Sequence, residues 1–406
     1  GTGLSFLGIA MPVCWFGLIL QLIFSVPLVD FQNPMLATVM ASMFERGTTT
    51  RSADQIATVL DETGAQMEFA IQDGALTVFI RCLKKNYATI VDLLAEQIQS
   101  PAFDRNEVEL LCEQIISETA ASRDDTEVQA DIAFLQTALP IGHPQRLTNS
   151  EDSISALKKI KRKSLVNYHR KWITPDAASL IVVGDIDATG CAKPVELAFG
   201  KWHGSRQEKE IIKATPLDKA VEQFVEIDGK ESISVRIGQA SGLSASDPDY
   251  LPLEIATAAL GSGFTSRLLS TVRDTEGLTY GISANLLGEG KSDGIWQINA
   301  TFAPENLTQG IQSTMREINH WHQQGLSAEE LAYHKSAWIG QHQMMFSSSD
   351  TIAQAIHSTI QRGLPLTWLD ERPSQINALS LEQVNEVLRR RIQPDRFITI
   401  QSGSKE

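Results

Sequence analysis

The 406-residue chain predicts an α+β fold of two homologous domains, each an antiparallel-rich sheet packed with helices. Three observations carry this. Arg170-Lys171-Trp172-Ile173-Thr174-Pro175-Asp176 recurs as Arg389-Arg390-Arg391-Ile392-Gln393-Pro394-Asp395, and in each copy a short apolar segment ends in glycine nine residues after the proline, at Gly184 and Gly403. Val59-Leu60-Asp61-Glu62-Thr63-Gly64 recurs as Val272-Arg273-Asp274-Thr275-Glu276-Gly277. The offsets, 219 and 213 residues, nearly agree, which is the signature of an internal repeat. Helical and strand-like stretches also alternate without the strict βαβ order of a doubly wound sheet.

The elements follow in order. Residues 1–29 carry no charge, and Leu4–Val29 admits three readings: a membrane span, a secretory signal or a buried strand. Pro12 and Pro27 bracket only fourteen residues, short of the roughly 20 a spanning helix needs. Val13–Phe24 is rich in strand formers, so a sheet core is favoured. Helices are expected at Pro34–Phe44 and Ser52–Thr63, a strand at Ala75–Cys82, and amphipathic helices at Tyr87–Ile98 and Arg105–Thr119. One further helix is expected over Ser153–His169, then a closing strand at Ala178–Val183. The polar stretch around His203–Lys219 has little periodicity, which sets domains at 1–203 and 220–406 with a linker at 204–219. The second half should repeat the first.

Composition excludes several classes. With 35 Lys+Arg against 49 Asp+Glu, the net charge of −14 argues against nucleic-acid binding. Cys14, Cys82, Cys112 and Cys191 form no CxxC pair, so neither a cysteine zinc site nor a disulfide scaffold is expected. The basic run Lys158–Lys163 reads as a solvated helix face. The turn at Gly261-Ser262-Gly263-Phe264-Thr265-Ser266-Arg267 lacks the GK[ST] ending of a phosphate loop.

Several blocks together resemble the pitrilysin-like M16 metallopeptidases, in their small two-domain bacterial form. They are FERGTTTRSADQIATVLDETGA (Phe44–Ala65), IGHP (Ile141–Pro144), KWITPDAASLIVVGDID (Lys171–Asp187), LGSGFTSRLLSTVRDTEGLTYGI (Leu260–Ile282) and GLSAEELAYHKSAWIG (Gly325–Gly340). The resemblance implies two domains packed as a half-clamshell. It also implies an inverted zincin motif, HxxEH, with two histidines one helical turn apart and a glutamate as general base. Those positions here hold Thr38-Val39-Met40-Ala41-Ser42, aligned on Gly47-Thr48. Thr38, Ala41 and Ser42 are thus degenerate, and Glu118 is the remnant of the downstream ligand. No HxxxH or HxxEH occurs among the eight histidines. No catalytic zinc is expected in this chain, and His143 in the GHP turn is expected to serve structural hydrogen bonding.

The second half retains what the first has lost. The resemblance gives Arg273 and Tyr280 the role of reaching the partner's zinc site and stabilising the substrate carbonyl and developing oxyanion. Gly277, Leu278 and Thr279 between them are expected to touch substrate. A bland reading stands beside it, with Arg273 capping a helix C-terminus and Tyr280 as an ordinary strand residue. The expectation is a non-catalytic subunit, inactive alone, that pairs with an HxxEH-bearing chain holding the zinc and helps cleave peptides or unfolded polypeptide. A homodimer in isolation is a further expected form. The alternative is a structural or assembly protein of the same family. A bacterial periplasm or envelope location is favoured over the cytoplasm.

Overall fold

A computed structural model describes residues 19–28, 33–72, 74–206, 211–288 and 290–405. Of the apolar N-terminal stretch, Ile19–Pro27 forms strand β1, while residues 4–18 and Val29 lie outside the described residues. No helix among the described residues is long and apolar enough to cross a membrane.

Four strands build the first sheet: β1, β2 (Gln66–Gln72), β3 (Ala75–Leu83) and β4 (Ser179–Val183). Their order is β2-β3-β1-β4, antiparallel throughout, with β1 in the centre. That position explains the uncharged sequence of β1. Leu20, Leu22, Phe24 and Val26 alternate onto one face and pack with Leu76, Val78 and Ile80 of β3. Met40, Leu94, Leu165 and Trp172 close this core from the helical layer.

The second sheet contains β5 (Val221–Glu226), β6 (Ile233–Ala240), β7 (Thr279–Gly288), β8 (Gly294–Phe302) and β9 (Ile398–Gly403), in the order β5-β9-β6-β8-β7. Without β5, which pairs in parallel with β9, the order β7-β8-β6-β9 repeats that of β2-β3-β1-β4. The sequence repeats fall at matching places. A one-turn helix at Pro175–Ala177 precedes β4, and another at Pro394–Arg396 precedes β9. Gly64 ends the helix Ala53–Thr63 at φ +62°, and Gly277 follows the helix Leu269–Thr275 at φ +66°. Both positions require the left-handed conformation that glycine adopts without a Cβ penalty.

The compact units are not two consecutive stretches. One comprises residues 1–118, 151–210 and 345–361, and the other 119–150, 211–344 and 362–406. The expected domains, 1–203 and 220–406, thus exchange one segment each. A sheet with helices on one face still needs its other face covered. The helix Ser349–Gln361 covers the first sheet, where Gln361 Nε2 donates to Ser25 Oγ at 2.8 Å. The helix Thr126–Ala138 covers the second, where buried Arg236 on β6 donates to both carboxylate oxygens of Asp131 at 2.6 and 3.2 Å.

One expected helix is two. Ser150–Lys159 and Arg162–Trp172 are separated at Ile160 and Lys161, with Lys161 extended at φ −135° and ψ 160°. A continuous helix would stack Lys158 on Arg162 and Lys159 on Lys163, like-charge pairs that destabilise a helix. The basic run therefore straddles a break and is not one helical face.

Candidate functional site

Thr38, Ala41 and Ser42, expected from the sequence to be degenerate metal positions, lie on the helix Pro34–Met43. Pro34 at its first turn costs no hydrogen bond there. Ala37, Val39, Met40, Ala41 and Met43 are buried. Thr38 is exposed, and its hydroxyl donates to the Pro34 carbonyl at 3.1 Å. Ala41 has no side-chain donor atom, and Ser42 is half-buried. Glu118 is exposed on the helix Arg105–Ala121 and accepts from Gln114 Nε2 at 3.0 Å. These residues do not fit a zinc site, which takes three converging nitrogen, sulfur or carboxylate ligands. Among the described residues no three His, Cys, Asp or Glu side chains converge as a metal group.

Two histidines of the first half of the sequence, His143 and His169, are engaged in hydrogen bonds. His143 Nδ1 accepts from the Gln145 N–H at 3.2 Å, so the ring proton sits on Nε2, 3.2 Å from Asp293 Oδ1. The other Asp293 oxygen accepts the Ala214 N–H at 2.8 Å. His169 Nε2 donates to the Ile98 carbonyl at 2.7 Å between Phe44 and Phe103, and burial holds its pKa below the ordinary 6.5.

The second-half constellation is built on a helix end, a glycine turn and the start of β7. Val272 is buried and anchors the helix Leu269–Thr275, whose wide turn puts Arg273 at its surface. The turn closes with the Gly277 N–H on the Arg273 carbonyl and the Leu278 N–H on the Val272 carbonyl, both at 3.0 Å. Among the described residues Arg273 has one weak ionic neighbour, Asp274, at 3.9 Å. Tyr280 is wholly exposed, and its hydroxyl has no protein partner among the described residues. Glu276, at the helix end, accepts from the Ser313 hydroxyl and from the Arg316 guanidinium, both on the helix Leu307–Gln324. The Ser313 bond, joined by Arg316, holds its carboxyl below the usual range.

The residues between the two donors sit differently from the expectation. Leu278 and Thr279 are buried, so their side chains face the domain interior and leave only main chain on the outside. Gly277 is exposed.

Two family models match this chain. The insulinase model, peptidase family M16, spans residues 33–140, and the peptidase M16 inactive domain spans 159–337. The chain belongs to peptidase family M16. It is similar to YmxG of Bacillus subtilis, described as an uncharacterized zinc protease, at 25% identity over 371 residues, covering 89% of this chain and 87% of that protein. It is similar to a protein of Helicobacter pylori named non-peptidase homolog YmxG, at 21% identity, with 87% and 81% covered. The fold matches that of a peptidase M16 inactive domain from Pseudomonas fluorescens, with a TM-score of 0.87 and 19% identity over 95% of this chain and 92% of that one.

What sequence reasoning missed is how Tyr280 is presented. Tyr280 and Gly281 lie in an irregularity of β7, between Thr279, paired with Phe302, and Ile282, paired with Ala300. The only sequence trace of this is a glycine after the tyrosine, in a stretch that otherwise reads as regular strand.

Proposed function

We propose that this chain is the non-catalytic member of an M16 peptidase pair. A separate HxxEH-bearing chain would hold the zinc and its activated water. This chain would supply a wall of the substrate chamber and two donors, the Arg273 guanidinium and the Tyr280 hydroxyl, for a peptide carbonyl and the charge that develops on it. The observation that carries this reading is the exposure of Tyr280: a tyrosine whose hydroxyl has no partner among the described residues, seven residues from an arginine whose ionic neighbour among the described residues, Asp274, is 3.9 Å away. Donors fixed before the reaction stabilise developing negative charge without reorganising. Arginine also stays charged at every relevant pH. The bland alternative, a cap and a strand residue, accounts for Arg273 but not for Tyr280, because a tyrosine that serves packing buries its ring.

The test is turnover of a peptide by the assembled pair carrying Arg273→Ala or Tyr280→Phe. Loss of an oxyanion donor should cost roughly 100-fold or more in kcat, with assembly and zinc content unchanged. Unchanged turnover would make both residues relics and favour the structural or assembly role.

A further inference from the structure

Across the sheet from Tyr280 and Gly281 stands a single residue, Thr301, between the flanking pairs Thr279–Phe302 and Ile282–Ala300. Two residues opposite one make a β-bulge, which re-aims a side chain and frees a backbone N–H from the ladder. In a regular strand, residues three apart face opposite sides. Here Thr279 and Ile282 are both buried, and Tyr280 is turned fully outward.

The freed groups are taken up by one hydroxyl. The Gly281 N–H donates to Thr279 Oγ1 at 3.2 Å, and that oxygen lies 2.5 Å from the Thr301 carbonyl, to which it donates. Thr279 therefore ties both sides of the bulge together, immediately before Tyr280 in the chain. Valine in its place would fill similar space but leave that N–H and carbonyl without this partner. At the other end of the turn, Glu276 is fastened by Ser313 and Arg316, which themselves meet at 2.9 Å.

We propose that Thr279 is a positioning residue: its hydroxyl locks the bulge that presents Tyr280 to the peptide carbonyl. This replaces the direct substrate contact that the sequence suggested for Thr279. It rests on the reading of Tyr280 as a donor acting in trans.

The test combines two measurements. In the purified chain, Thr279→Val should speed amide exchange at Gly281 roughly tenfold or more, as a lost local hydrogen bond does. It should also sharpen the ¹⁹F resonance of 3-fluorotyrosine placed at position 280, while Thr279→Ser restores both signals. In the assembled pair, Thr279→Val should lower kcat roughly tenfold with KM within about twofold, as misplacement of a reacting group does. The same change in a Tyr280→Phe background should add no further loss. Unchanged Gly281 exchange, or losses that multiply in the double variant, would overturn the proposal. Loss with Tyr280→Phe but none with Thr279→Val would overturn the positioning role alone. No loss with Tyr280→Phe would overturn the donor reading and this role with it.

Discussion

The helix Pro34–Met43 in the first half and the turn Arg273–Tyr280 in the second hold the two sets of candidate site residues, and they are built in opposite ways. In the first, Thr38, Ala41 and Ser42 supply a buried alanine and two hydroxyls, and the surrounding residues serve as core. In the second, the polar residues stay outside, and buried groups support them from behind. The contrast teaches that packing alone suffices to keep the helix Pro34–Met43 in place, because it has an apolar face of its own. The exposed tyrosine has no packing reason to stay.

The contrast can be broken most forcefully at Ala41. Ala41→Glu would restore the general base in name, but it places a carboxylate at a site only 3% exposed. With no partner there, the expected cost is about 3–5 kcal/mol, read as a lower urea midpoint. A stable Ala41→Glu variant would mean that the helix still keeps a polar pocket.

A second effect comes from His169, which packs against Phe44 at the end of the same helix. Burial lowers its folded pKa below 6.5, with the Ile98 hydrogen bond opposing. The unfolded chain therefore binds more protons at His169 as pH falls through 6.5 toward the folded value. Its contribution is complete above 6.5 and is lost over that window. His334 shifts the same way by burial, so the diagnostic is a difference: Tm against pH should be flatter for His169→Gln than for the parent chain.

Two changes should do little to stability, and they sharpen the comparison. Thr38→Ala removes an exposed hydroxyl bonded to its own helix, and should shift stability by less than about 0.5 kcal/mol. Tyr280→Phe should have an effect near zero in thermal melts, because the hydroxyl bonds to nothing among the described residues. A clear destabilisation by Tyr280→Phe would reveal a structural role and weaken its reading as a donor.

Much of the fold was legible because it repeats. The two Pro-to-Gly segments and the two helix-ending glycines set the halves, and the same one-turn helices and left-handed glycines appear in the structure. Local signals also sufficed for the helix Ala53–Thr63, with its Ser52–Gln55 capping box. The strand Gln66–Gln72 was legible only as a continuation past Gly64, without bounds, and the helix Thr126–Ala138 was missed. The first is an edge strand whose side chains are mostly exposed. The second covers a sheet from the other half of the sequence, held by Arg236 and Asp131, which are 105 residues apart. No window of local sequence carries such a partnership. At the candidate site, the family resemblance, and not spacing alone, pointed to Arg273 and Tyr280. The inward turn of Thr279 depends on the pairing of β7 with β8, a non-local register that spacing along the chain does not reveal.

The central claim is tested most directly by zinc content and peptide hydrolysis of the purified chain, alone and mixed with an HxxEH-bearing M16 chain. The account predicts no zinc and no cleavage for this chain alone, then cleavage in the mixture with one zinc per pair, carried by the partner. Zinc bound to this chain alone, with peptide cleavage that survives Tyr280→Phe, would contradict it.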